Sequence, residues 1–193
     1  MKQSMEATVD GGPRFWIGWG MAFFGFPVGG AAAAVLVGAI TTPLEGALGG
    51  AVTGAVIGAA QWLVLRRRLP LTPAWIAATA LGMGAGLALS IALLGTETGD
   101  IALPLRGLIT GASIGGAQYL LLRGVMSRAP VWALVVTLSW AIGWMITRAA
   151  GIDLARQWSV FGSSGALVFQ LLTGLTLAWL LKERKVAPVP QAT

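Results

Sequence analysis

The chain has 193 residues, of which 56% are hydrophobic and only 10% are charged, and its formal net charge at pH 7 is +6. Soluble domains carry about 25% charged residues, so this composition excludes an ordinary water-soluble domain and predicts a chain surrounded by lipid. Cysteine and histidine are absent, which excludes disulfides, thiolate nucleophiles, imidazole bases and metal or haem ligation by these residues.

Six segments reach or approach the roughly 20 apolar residues that cross a bilayer. In chain order they are 15–40, 46–65, 73–95, 104–122, 130–149 and 158–181. Pro27 lies in a glycine-rich part of the first segment, so we expect a kink or break near Phe26 to Gly30. The loops are too short for a second domain. We therefore predict a single transmembrane domain over residues 1–193, with flexible ends at 1–12 and 186–193.

Basic residues cluster in alternate loops along the chain. The side of the N-terminus receives Lys2, Arg14, Arg66, Arg67, Arg68, Arg123, Arg128, Lys182, Arg184 and Lys185. The other side receives Arg106, Arg148 and Arg156, beside Glu45, Glu97, Asp100 and Asp153. Because Lys and Arg resist translocation, this asymmetry predicts that both termini are cytoplasmic, in the cytoplasmic (inner) membrane of a bacterium.

The partners expected from these charges are lipids. The basic residues flank apolar segments and form no stripe on a folded surface, so nucleic acid is not an expected partner. The turn Arg66, Arg67 and Arg68, together with Arg123 and Arg128, instead predicts contacts with anionic lipid headgroups on the cytoplasmic side.

An internal repeat underlies the apolar segments. Gly50–Gly86 aligns with Gly107–Gly143 without a gap, at an offset of 57. The odd helix of each copy begins with Pro-x-Trp, at Pro73–Trp75 and Pro130–Trp132, and Pro13–Trp16 looks like a degraded version. We predict an all-α integral membrane fold whose six helices form three parallel helical hairpins, at approximately 14–68, 73–123 and 130–185.

Each copy places three glycines and a glutamine on one helix face, at about 100° of rotation per residue. These residues are Gly50, Gly54, Gly58 and Gln61, and Gly107, Gly111, Gly115 and Gln118. Small residues at every fourth position let helices approach closely, so we predict that these faces pack helices together. The alternative is a docking face for another subunit, a lipid or a pigment tail. We expect interhelical hydrogen bonds from the glutamines, the alternative being a substrate or quinone headgroup.

Tryptophan is abundant, and most of it lies near the predicted cytoplasmic boundary. These residues are Trp16, Trp19, Trp62, Trp75, Trp132 and Trp179. Amphipathic indole rings prefer the membrane interface, which predicts an aromatic belt. Trp140 and Trp144 are deeper, and we expect them to pack in the core or against lipid, the alternative being a carotenoid-like tail.

The sequence favours a non-catalytic protein. No charged residue lies well inside a predicted span, which argues against a proton-coupled pump, and no pair of catalytic groups indicates an enzyme. The leading hypothesis is an accessory membrane subunit that packs by its glycine faces against itself or into a larger complex, such as a photosynthetic or respiratory assembly. A bound lipid, pigment or quinone stays open. The alternative is a transporter or channel for a neutral small solute, lined by Thr53, Thr110, Ser113, Ser139 and Gln170.

One motif carries a resemblance. The string GAAQWLVLRRR at Gly58–Arg68 recurs as GGAQYLLLR at Gly115–Arg123, each followed by Pro-x-Trp. It resembles a pattern in multi-span bacterial membrane proteins of unassigned function, and the likeness extends over most of the chain. It implies a membrane location and carries no activity. Three hairpins also match mitochondrial carriers in number, but their Pro-x-[Asp/Glu]-x-x-[Lys/Arg] signature is absent.

Overall fold

A computed structural model describes residues 12–151 and 163–185 of the chain. Within these ranges the chain forms α-helices and no strand. The helices are α1 (Pro13–Ala22), α2 (Gly25–Leu36), α3 (Pro43–Leu65), α4 (Ala74–Leu94), α5 (Ala102–Leu122), α6 (Ala129–Ala149) and α7 (Ser163–Lys185). The ends predicted to be flexible lie outside the described residues, except for Gly12.

Within the described residues, five segments are long and apolar enough to cross a membrane. They are Pro13–Leu36, Pro43–Leu65, Ala74–Leu94, Ala129–Ala149 and Ser164–Glu183. This is the architecture of a helical membrane protein, as the composition predicts. The predicted span 104–122 coincides with α5, which has 21 residues. It is less apolar than the five because it carries Arg106 and Gln118, so the count of six spans stays a prediction.

The first predicted span is broken, but not where Pro27 suggested. The backbone N–H groups of Phe23 and Phe24 each donate to a carbonyl three residues earlier, at 3.1 Å. Such bonds belong to a tight 3₁₀-type turn, which separates α1 from α2. The break therefore precedes the predicted kink. Pro27 is the third residue of α2, where an N–H would have no intrahelical partner, so proline is tolerated there.

The helices form a closed ring in chain order. Each helix from α2 to α6 packs on the one that follows it, and α7 contacts α1 and α2. Neighbouring helices are antiparallel: Gly50 lies against Met83, whereas Gly58, two turns further along α3, lies against Ile76. Short loops enforce this order, because they leave each helix next to its neighbour in sequence. Gly95, with φ of 63°, ends α4 in a conformation that favours glycine.

The antiparallel order separates the charged side chains into two groups. At one end of the ring, hereafter the basic end, the described residues are Arg14, Arg66, Arg67, Arg68, Arg123, Arg128, Lys182 and Glu183. At the opposite end they are Glu45, Glu97, Asp100, Arg106 and Arg148. The two ends of the bundle therefore differ strongly in charge.

Aromatic side chains fill the centre of the ring. Trp19, Trp75 and Trp132 are almost fully buried, and the Trp132 ring lies 6.3 Å from Trp19 and 6.1 Å from Trp75. Further from the basic end, Trp140 and Phe169 lie 5.6 Å apart, and both contact the ring of Phe26 in α2. Aromatic pairs at these separations add stability beyond the area that they bury.

These positions correct the predicted aromatic belt. Trp16 and Trp179 lie on the outside, each 37% exposed, as rings at an interface should. The prediction is wrong for Trp19, Trp75 and Trp132, whose side chains point inward. Depth along the helix was predicted from distance to the charged turns, but the direction of a side chain depends on its position around the helix.

Candidate functional site: a buried glutamine and tryptophan network

The most polar part of the interior is a set of hydrogen bonds that joins α3, α4, α5 and α6. Its side chains are those of Gln61, Trp75, Thr79, Gln118 and Trp132, each at most 2% exposed. We refer to these five residues as the glutamine–tryptophan network. It lies towards the basic end and includes two of the three central tryptophans, Trp75 and Trp132.

The network links the two copies of the repeat. The indole N–H of Trp75 donates to Gln61 Oε1 at 3.3 Å, and that of Trp132 donates to Gln118 Oε1 at 2.9 Å. The amide of Gln118 donates to Thr79 Oγ1 at 2.9 Å and to Gln61 Oε1 at 3.5 Å. Thr79 Oγ1 donates to the Trp75 carbonyl at 2.8 Å. The two glutamines, 57 positions apart, therefore meet in the interior.

This chemistry suits the network to holding helices together. An amide without partners in hydrocarbon costs several kcal/mol, so mutual satisfaction strongly favours this arrangement of helices. Glutamine, tryptophan and threonine do not titrate near neutral pH. The network therefore fixes which helices meet and in what register, and it offers no acid or base for catalysis.

The predicted glycine faces bring these helices close enough to bond. A methyl group at Gly54 would lie 2.7 Å from the Thr79 carbonyl oxygen, and one at Gly111 would lie 2.8 Å from the Thr137 Cα. The other four glycines are equally close to the next helix; the nearest distances are 2.8 Å for Gly50, 2.9 Å for Gly58, 2.7 Å for Gly107 and 2.7 Å for Gly115. All six are covered by helices of the same chain, so in this structure they present no face to another subunit.

A third tryptophan–glutamine pair closes the ring where α7 meets α1 and α2, hereafter the seam. The Trp19 indole N–H donates to the backbone carbonyl of Gln170 at 2.9 Å, and the Gln170 amide donates to the backbone carbonyl of Trp19. Backbone atoms thus replace the side-chain acceptors used by Trp75 and Trp132. Gln170 Oε1 is buried and makes no hydrogen bond.

The seam corrects one assignment made from sequence. In the first hairpin, Trp16 looked like the equivalent of Trp75, but the tryptophan that occupies the centre is Trp19. Phe15 and Trp19 are four residues apart and share the inner face of α1, where both are buried. Trp16 is one residue further round the helix from Phe15 and points outward.

The five residues predicted to line a polar path are not brought together. Thr53 and Ser113 donate to backbone carbonyls, at 3.2 and 3.0 Å. Thr110 is buried, and its hydroxyl makes no hydrogen bond. Gln170 belongs to the seam. Ser139 faces a separate cavity between α2, α6 and α7.

That cavity is small and largely aromatic. Its volume is about 20 Å³, and its walls are Phe26, Ser139, Trp140, Gly143, Trp144, Thr147, Gly165, Ala166 and Phe169. Such a volume accommodates about one water molecule. A pigment ring or a quinone headgroup does not fit in it.

The opposite end of the ring holds contacts that sequence reasoning missed. Arg148 of α6 forms an ion pair with Asp100 and donates to the Thr98 carbonyl at 3.1 Å. Arg106 of α5 donates to the Gly95 carbonyl at 2.6 Å. Both arginines thus bind the loop between α4 and α5. Within the described residues, no three side chains of His, Cys, Asp or Glu are grouped to hold a metal.

Sequence reasoning found the glutamines but missed their partners. Trp75 and Trp132 were assigned to an interfacial belt, although they are equivalent residues in the two copies of the repeat. Each tryptophan follows a glutamine by 14 residues in both copies. In a repeat without gaps every pair of identical positions keeps its spacing, so the sequence alone did not identify this pair as a contact.

Comparison of the chain with protein families, curated proteins and solved structures gives no significant match. The resemblance of Gly58–Arg68 to bacterial membrane proteins therefore stays a prediction.

Proposed function

We propose that this chain is a non-catalytic scaffold subunit, a rigid helical ring that sits in the bilayer and supports a larger membrane complex. The observation that carries the proposal is the centre of the ring, where Trp19, Trp75 and Trp132 pack together. Their N–H groups and the buried glutamines bond to one another or to the backbone. Such an interior specifies a shape, and the glutamines, tryptophans and threonine of the network supply no acid or base for catalysis.

The outer surface supports an accessory role. Large apolar side chains are exposed along the outside of several helices, including Leu81 on α4, Leu134 on α6 and Leu171 on α7. An apolar exterior of this kind fits lipid or other membrane helices. The glycine faces lie inside the ring, so contact with another subunit uses this outer surface.

The transport hypothesis has less support. It needs a continuous polar path, and the five side chains proposed to line one are distributed over different contacts. Aromatic rings occupy the axis at two levels, near Trp132 and near Trp140. A solute crossing the ring would have to displace them.

We further propose six spans in three parallel hairpins, with both termini cytoplasmic in a bacterial inner membrane. The support is the charge difference between the two ends of the ring, since the positive-inside rule places the basic end in the cytoplasm. Under this proposal α5 crosses the bilayer. Its polar residues Gln118 and Thr110 face neighbouring helices and are buried, so crossing the bilayer does not expose them to lipid.

Cysteine labelling tests this topology cleanly because the chain has no cysteine of its own. Ser127→Cys lies in the turn after α5 and Thr98→Cys in the loop before it, and both positions are exposed. In intact cells, a membrane-impermeant maleimide should label Thr98→Cys and not Ser127→Cys. Labelling of both or of neither would show that α5 does not cross.

The scaffold role is tested by isolating the protein from its native membrane in mild detergent. We expect it to migrate on native gels well above 19.9 kDa, the mass of the chain, and to carry other membrane proteins with it. A monodisperse monomer would overturn the scaffold role. Solute-dependent swelling of vesicles containing the pure protein would favour transport instead.

A further inference from the structure

Positive charge is unevenly distributed over the basic end. The turn after α3 begins with Arg66, Arg67 and Arg68, and it contains no acidic residue before α4. In the next turn along the ring, Arg128 is paired with Glu183 of α7 at 3.4 Å. Among the described residues, neither Arg66 nor Arg67 forms an ion pair. Arg66 and Arg67 therefore place two adjacent charges in this turn, with no acidic partner among the described residues.

Aromatic rings hold two of these guanidinium groups in place. Arg66 lies over the ring of Trp62 at 4.9 Å from its centroid, and Arg68 lies over the ring of Phe15 at 5.1 Å. The Trp62 N–H donates to the Leu71 carbonyl at 3.0 Å, which anchors the far side of the turn to α3. The stacking on Trp62 keeps the N–H groups at the edge of the Arg66 guanidinium available as donors.

The same contact brings a second element into this corner of the ring. Phe15 belongs to α1, and Arg14 precedes it as an exposed residue. The arginines of α1 and of the turn after α3 therefore lie at the same corner of the basic end.

We propose that Arg66 and Arg67, with Arg14 and Arg68 at the same corner of the ring, form a binding site for the phosphate of an anionic phospholipid. We call this site the arginine turn. The guanidinium fork matches the oxygens of a phosphate. The turn lies at the end of an apolar helix, where headgroups meet the hydrocarbon, and the exposed Leu63 on α3 offers an apolar surface for an acyl chain. This site requires the ring to lie in a bilayer and is independent of the scaffold role.

The test is lipid binding to the purified full-length protein in mild detergent. Phosphatidylglycerol and phosphatidylcholine with identical acyl chains are added in turn, and bound lipid is measured by native mass spectrometry. We expect phosphatidylglycerol to bind more tightly. One arginine near an anionic headgroup contributes about a fivefold gain in affinity, so Arg66→Gln with Arg67→Gln should weaken binding by about 25-fold.

The chain supplies a matched control in the other copy of the repeat. Arg123 is the equivalent of Arg66 at the offset of 57 and contributes equally to the positive-inside asymmetry. Arg123→Gln should leave binding at the tight site nearly unchanged, whereas Arg66→Gln alone should weaken it about fivefold. An equal loss in these two single variants would overturn the site, because it would reduce the arginine turn to general charge.

Two further measurements separate a charge-recognising lipid site from a damaged fold and from a site for soluble phosphate. Arg66→Lys with Arg67→Lys keeps the charge but removes the guanidinium fork, so it should bind phosphatidylglycerol more weakly than the native chain and more tightly than the glutamine double variant. A loss as large as that of the glutamine double variant, at unchanged thermal stability, would contradict a site that recognises charge. Inorganic phosphate should not displace the lipid. Displacement would show a site for soluble phosphate and overturn the lipid assignment, as would equal binding of the two lipids.

Discussion

The ring is built in two ways, and the difference lies in how its buried polar groups are paired. From α3 to α6, a glutamine side chain on one helix accepts a hydrogen bond from a tryptophan on the next, and the two glutamines contact each other. At the seam, Trp19 and Gln170 instead bond to each other's backbone carbonyls. The bonds from α3 to α6 therefore join two side chains, whereas each bond at the seam joins a side chain to the backbone.

The position of the small residues explains this difference. In α3, Gln61 follows Gly58 by three residues, whereas in α7, Gln170 precedes Gly174 by four. The seam glutamine therefore enters at another level of the ring. A methyl group at Gly174 would lie 2.7 Å from the indole of Trp19. Gly174 therefore makes room for a side chain, whereas Gly54 makes room for the backbone of the next helix. The comparison indicates that α3 to α6 should tolerate substitution less well than the seam.

The largest expected effect comes from adding a methyl group at a glycine contact between α5 and α6. In Gly115→Ala the new methyl would lie 2.7 Å from the Ala133 carbonyl oxygen. Backbone cannot move aside cheaply, so we expect a loss of about 1–3 kcal/mol in the free energy of unfolding. The measurement is unfolding in mixed micelles as a function of denaturing detergent.

The adjacent glycine is the control for that variant. Gly116 has no atom within 4 Å of the position of a methyl group. Gly116→Ala should therefore be neutral or stabilising by up to about 1 kcal/mol. Equal destabilisation by Gly115→Ala and Gly116→Ala would mean that the close approach of α5 and α6 is not as described.

The next effect is expected at the centre of the network. Gln118→Leu leaves the Trp132 N–H without its acceptor and removes the donor to Thr79, so we expect a loss of about 1–3 kcal/mol. Trp132→Phe on the same background removes the stranded N–H. If the bond is real, the double variant should lose less than the sum of the single variants, in a double-mutant cycle of unfolding free energies. Strict additivity would contradict the bond.

A smaller effect is expected at the seam. Gln170→Leu removes the donor to the Trp19 carbonyl, but the backbone carbonyl that accepts the Trp19 N–H remains. We expect a loss of about 0.6 kcal/mol, typical of hydrogen bonds between membrane helices. The same unfolding assay compares it with Gln118→Leu. A larger loss for Gln170→Leu would reverse the comparison between the two regions.

The smallest effects are expected for the two ion pairs at the ends of the ring. Glu183→Gln removes the pair with Arg128 at the basic end, and Asp100→Asn removes the pair with Arg148 at the opposite end. Both pairs are largely exposed, so each variant should cost less than about 1 kcal/mol. The cost should shrink further in high salt. A loss that salt does not reduce would indicate a structural role for the carboxylate.

Sequence reasoning located the helices and the faces that carry the network. Periodicity alone placed Gly54 and Gln61 on one face of α3, because both depend only on rotation about a single helix axis. It did not identify Trp75 as the partner of Gln61, since that contact depends on how two helices are rotated relative to each other. The repeat shows that both residues recur, but it does not show which of the recurring residues contact each other.

The seam was the least accessible part of the molecule from sequence. Gln170 and Trp19 are separated by 151 positions, and nothing local connects them. The first hairpin also departs from the repeat, because its buried tryptophan, Trp19, follows Pro13 by six residues, whereas Trp75 follows Pro73 by two. Contacts that close a ring involve the first and last helices, for which the repeat offers the least guidance.

The closed ring has one consequence for how the chain tolerates rearrangement. α1 begins and α7 ends at the basic end, on helices that contact each other. A short linker could therefore join them, and new termini could be opened in the turn between α5 and α6, where Gly124 has open space around it. Such a circularly permuted chain would keep every helix neighbour it has now. The order of the helices around the ring therefore does not depend on where the chain begins.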